Sequence, residues 1–166
     1  MSKGIDIPID ALLADFTAYL WNSNVRAFYG RVFRNERDGK ISPEIWLSAD
    51  KYIDVLKDVS KDAQCFFDVQ PNTTMDSDVC TASVWLCFMV NLTKLFPSLI
   101  RTEATEKAQE DVISLIMSSQ FTIDKNGLIP GFTGFKDYYW DDASKADMSP
   151  HYLFRFNLQT IYTNMK

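Results

Sequence analysis

Histidine is almost missing from this sequence: His151 is the only one in 166 residues. A histidine-based triad would have to use it, and no serine stands in a nucleophile-elbow context. Next to Pro150 at the head of an alternating run, His151 reads as structural. Cysteine is scarce as well, with Cys65, Cys80 and Cys87 an odd set, two of them inside apolar runs. They read as small buried hydrophobes in a reducing compartment rather than as a disulfide framework or a metal cage. The stretch Gly127-Leu-Ile-Pro-Gly-Phe-Thr-Gly134 has no lysine and hydroxyl opening a helix behind it, so it is not a phosphate loop. No apolar run approaches the roughly 20 residues that span a bilayer. Residues Met1 to Asp6 lack the apolar core of a secretory leader, so synthesis in the cytosol is expected.

Basic charge is also in short supply. The net charge of −5 argues against general phosphate gripping by the whole surface, though not against a protein that DNA passes by. The acidic residues suggest two cation sites, and neither is convincing. Asp68, Asp76 and Asp78 lack the glycine and closing glutamate of a calcium loop. Asp137, Asp141, Asp142 and Asp147 lie in a polar stretch and read as solvated. No cofactor and no metal is therefore expected.

Apolar residues, by contrast, are plentiful: they make up 46% of the chain, which excludes a mostly disordered protein. They are organised around Thr81 to Thr93. Ala82, Val84, Leu86, Phe88, Val90 and Leu92 recur at period two and predict one fully apolar strand face. The other face, Ser83, Trp85, Cys87, Met89 and Asn91, carries no charge, so a helix or another copy of the protein is expected to cover it. Pro97 is expected to end the run.

Around that strand the pattern predicts further elements. Ile7 to Trp21 reads as a helix with Pro8 in its first turn, and Thr102 to Met117 as a second. Val25 to Phe33 reads as a strand with a bulge or close approach at Gly30. It connects through an Asp38-Gly39 turn to a return strand over Ile41 to Leu47. Ser48 could cap a short helix through Leu56. Ala63 to Val69 reads as a strand, and Asp124 to Gly127 as a turn. Phe132 to Trp140 reads as the first strand of a closing hairpin. Its second strand, Tyr152 to Thr163, would be half exposed, with Arg155 on the outer face. The sum is one domain over residues 1–166 of class α+β. An antiparallel or mixed β-sheet is flanked by two main α-helices and ends in a C-terminal β-hairpin.

Tyr138, Tyr139 and Trp140 are consecutive, and in a strand three consecutive side chains cannot all face one core. At least one of them is expected at an interface, where aromatic anchors concentrate, and all three are candidate interface residues. Trp85 and Met89 on the second strand face, and Arg155, join them as candidate interface residues.

The element order resembles the tail-terminator, or tail-completion, proteins of long-tailed bacteriophages. The likeness runs through the leading helix Pro8–Trp21, the Tyr29-Gly30 strand and the Pro43-Glu-Ile-Trp46 return. It continues through the Val84–Leu92 strand, the Thr102–Met117 helix and the hairpin from Tyr138-Tyr-Trp-Asp-Asp142 to Tyr162. Residues Ser48–Lys61 are an insertion relative to that pattern. The resemblance implies a virion protein of the tail or neck, assembled in the host cytoplasm. It would be a structural protein and not an enzyme, forming a homo-oligomeric ring, a hexamer in that family. Its partners would be itself, the tail tube protein and head-tail connector proteins, with DNA only as transiting cargo and no membrane. The Val25–Phe33 and Tyr152–Thr163 strands would build the ring. The alternatives are another head-tail connector or completion protein of the same virion. From a different class, a small cytosolic enzyme or ligand-binding domain would have its pocket between helix and sheet.

Overall fold

A computed structural model describes residues 3–49, 51–56, 60–71, 73–140 and 147–163. The chain runs α1 (Asp6–Tyr19), β1 (Arg26–Arg31), β2 (Phe33–Arg37), β3 (Lys40–Ser48), β4 (Lys51–Asp54), β5 (Ala63–Val69), β6 (Thr74–Asp76), β7 (Val79–Asn91), α2 (Leu92–Leu95), α3 (Arg101–Met117), β8 (Thr122–Pro130), a 3-10 turn (Phe132–Phe135) and β9 (His151–Thr163). Segregated helices on a mostly antiparallel sheet make it α+β.

The main sheet has the order β1-β5-β7-β9-β8, with β6 folded back on the start of β7. Only β1 and β5 run parallel; the other pairs are antiparallel. The strand expected at the centre is there: β7 pairs along its length with β9 and, over Val84–Val90, with β5. Its even face is fully buried, as the period-two pattern predicts. Ala82, Val84, Leu86, Phe88 and Val90 meet α1 through Ile9, Leu12 and Phe16, and α3 through Ala104, Ala108, Val112 and Ile116. The strand stops at Asn91 rather than at Pro97, because the Asn91 side chain accepts the Lys94 N–H and opens the short helix α2.

Helix α1 has no basic residue in its last turn. Its terminal carbonyls are satisfied from outside: Arg26 donates to the carbonyl oxygens of Phe16, Thr17 and Leu20 at 3.2, 3.1 and 2.8 Å. Trp21 ties the same end to α3 through Asp111 at 3.0 Å.

At Val32 the chain leaves the main sheet. The register between β1 and β5 slips between Phe28 and Arg31, where the sequence predicts a bulge at Gly30. Val32 still donates to Phe67 O at 2.9 Å, and then β2 begins a second, three-stranded sheet, β2-β3-β4. Its first turn is Asp38-Gly39, both with positive φ, as the dipeptide predicts. The polar residues Arg34 to Arg37 are thus strand, not connector. Beyond Ser48, the predicted helix is strand β4, which pairs with β3 through Ile45↔Ile53 and Trp46↔Tyr52.

This small sheet covers the second face of β7. Val32, Val55, Leu56, Phe66, Cys87, Phe135, Tyr138 and Leu153 form a second core, with Ile41, Ile45, Trp85 and Met89 packed against it. Neither a helix nor another copy is needed there, because the chain supplies its own cover. For the same reason β9 is not a half-exposed closing strand. It is flanked by β7 on one side and β8 on the other, so the Tyr152–Thr163 strand is not a sheet edge over Phe154–Gln159. Among the described residues the strand order ends at β1 on one side and β8 on the other.

The C-terminal pair exists, but its first strand is β8. Residues Phe132–Trp140, expected in that place, instead form the 3-10 turn and the irregular segment after it. The predicted Asp124–Gly127 turn is a bulge inside β8, between Ile123 and Leu128. Gly127 is required there: a Cβ would sit 2.7 Å from Asp124 O and 2.8 Å from Asn157 O.

Candidate functional site

The second face of the main sheet carries a buried polar cluster at its rim. Across β5, β7 and β9, Asp68, Trp85 and Asn157 stand in one register row, with Phe66, Cys87 and Arg155 in the next. Arg34 reaches in from β2. It donates through Nε to Asp68 Oδ2 at 2.7 Å and through Nη2 to Gln70 Oε1 at 3.1 Å. The Tyr138 hydroxyl donates to the same Asp68 oxygen. Arg155 donates to Asn157 Oδ1 and to Gly134 O, each at 2.9 Å. The Trp85 ring faces both cations, with guanidinium carbons 3.7 Å (Arg155) and 4.9 Å (Arg34) from its centre.

Burial and neighbouring charges shift four ionisable groups of this cluster, Tyr138, Cys87, Arg155 and Arg34. Burial pushes the Tyr138 hydroxyl well above its ordinary range, with Cys87 and Asp68 adding to the shift. Burial first, then Asp68, pushes up the Cys87 thiol. Burial lowers the Arg155 guanidinium. For Arg34 burial acts downward, but the attraction of Asp68 and its hydrogen bond outweigh it and the net shift is up. A phenol and a thiol held protonated are poor bases and poor nucleophiles near neutral pH. The arrangement pins β2 and the segment after β8 to the main sheet.

The sequence-derived interface set is split by this geometry. Tyr138, only 4% exposed, and Arg155, 8% exposed, belong to the buried cluster and are not surface anchors. Trp85 and Met89 are half-buried against the second core. Trp140 packs on Phe132 and Phe135, with ring centres 5.8 and 5.9 Å away. Tyr139 alone of the three consecutive aromatics stays open, at 39%, with Lys40 Nζ 4.4 Å from its ring centre. The carboxylates Asp141 and Asp142 lie outside the described residues. Among the described residues no group of three or more metal-ligating side chains lies together.

The sequence reading missed a different surface. On the outer face of the small sheet, Phe33 and Trp46 are 47% and 56% exposed, and Tyr52 lies beside them. Phe33 and Tyr52 meet edge to face at 6.3 Å, and Tyr52 is the cross-strand partner of Trp46. Beneath these rings Glu44 is buried, accepting from Arg37 at 2.6 Å and from Asn35 at 2.8 Å. A signal for it existed. Ile45-Trp46-Leu47 and Tyr52-Ile53 are runs of adjacent apolar residues, which strands must split between two faces.

The space between helices and sheet, where a ligand-binding domain would have its pocket, holds packed rings: Phe16 meets Phe88 at 5.6 Å, and Phe88 stacks on Phe154 at 5.1 Å. Among the described residues no helix is long and apolar enough to cross a membrane. No family model, curated protein or solved structure matches this chain.

Proposed function

We propose that this chain is a structural virion protein of a long-tailed bacteriophage. In this reading it works as a closed ring of copies that caps the tail tube, joins it to head-tail connector proteins and leaves a channel for DNA. Its role is assembly and not catalysis. The element order that resembles tail terminators supports the reading. So does one structural observation, which carries it: the aromatic outer face of β2-β3-β4 is left open by a chain that covers both faces of its main sheet with its own residues. Exposed aromatics clustered in this way are the composition of an association surface. The second face of β7 lends no support, because β2-β3-β4 and the 3-10 segment occupy it.

The test is particle size and shape. Light scattering on the purified chain, alone and with isolated tail tubes, should give a closed oligomer in at least one of the two conditions. Negative-stain images should show it as a ring at the tube end. A chain that stays single in both conditions overturns the reading.

A further inference from the structure

We draw no further inference here: the strongest candidate, the exposed aromatic patch of Phe33, Trp46 and Tyr52 on the outer face of the three-stranded sheet, is an unpartnered face, and nothing in the structure shows what covers it.

Discussion

Asp68 shows how one buried carboxylate decides the role of the residues around it. It takes two donors on Oδ2, from Arg34 and Tyr138, which fixes Tyr138 inward and leaves Tyr139 to face out. The sequence argument that consecutive aromatics cannot share one core was sound in kind. It could not say which would be buried, because that depends on a carboxylate 70 residues away in the chain. Tyr138→Phe removes one donor and should cost about 1–3 kcal/mol in chemical denaturation. Tyr138→Ala also empties the ring's place between Phe66 and Phe135 and should cost about 3–5 kcal/mol. A neutral Tyr138→Phe would mean that Asp68 does not depend on this bond. This cluster, together with the Cys65 thiol of the first core, predicts a pH response. Burial raises the Cys65 and Cys87 thiols from an ordinary 9.0 and the Tyr138 hydroxyl from 10.0. Below about pH 9 the native and unfolded chains both hold these protons. Above it the unfolded chain releases them and the native chain does not, so stability falls as pH rises. The slope should approach ~1.4 kcal/mol per pH unit for each group engaged. Urea midpoints should be level from pH 7 to pH 8.5 and decline from there to pH 11. Tyr138→Phe should flatten the part of the decline above pH 10.

At the scale of elements, strands and helices with a clean period were legible and the irregular pieces were not. The apolar face of β7, the helix periodicity of α1 and α3, and the Asp38-Gly39 turn each carry their own local cause, so the sequence reading found them. Three segments went differently because the decisive contact is distant. Lys51–Asp54 has helix-compatible spacing, yet it pairs with β3. Phe132–Phe135 has strand composition, yet it winds into a 3-10 turn that buries Phe135 against Phe66. Asp124–Gly127 has turn composition, yet it bulges inside β8, where Asn126 takes a positive φ and Gly127 lies against the backbone of β9. That bulge supplies a sharp contrast. Gly127→Ala forces a methyl against two backbone oxygens and should lose about 1–3 kcal/mol. Gly30→Ala meets only Leu13 Cδ2, at 3.7 Å, and should change the melting temperature little. Equal effects of the two would place the bulge's rigidity elsewhere.

At the scale of the molecule, the main sheet is the shared wall of two cores: helices close one side, and the three-stranded sheet with the 3-10 segment closes the other. The sequence reading predicted that both faces of β7 are covered and misjudged what covers the second, since nothing in a polar strand such as Arg34 to Arg37 announces that its neighbour will fold back over the sheet. The consequence is a shift in where association energy should reside. Trp85, Met89, Tyr138 and Arg155 serve the fold, whereas Trp46 and Tyr52 add little to either core. Trp46→Ala should therefore leave the thermal unfolding of the single chain within about 0.5 kcal/mol of wild type, as surface substitutions do. In the assembled state it should weaken association by about 2 kcal/mol or more, the size expected for a central aromatic anchor. Phe135→Ala should do the reverse, destabilising the single chain by about 3–5 kcal/mol through the cavity it leaves in the second core. Tyr139→Ala falls between these cases: its ring is open, but its backbone N–H is bonded to Ile41 O at 2.8 Å. Truncating it should leave the fold intact, so any loss of assembly would show that the surface around Lys40 extends to the 3-10 segment. Unfolding by calorimetry and association by sedimentation, run on all three variants, separate the two roles. If Trp46→Ala unfolds the single chain while Phe135→Ala does not, the small sheet is core and the association surface lies elsewhere.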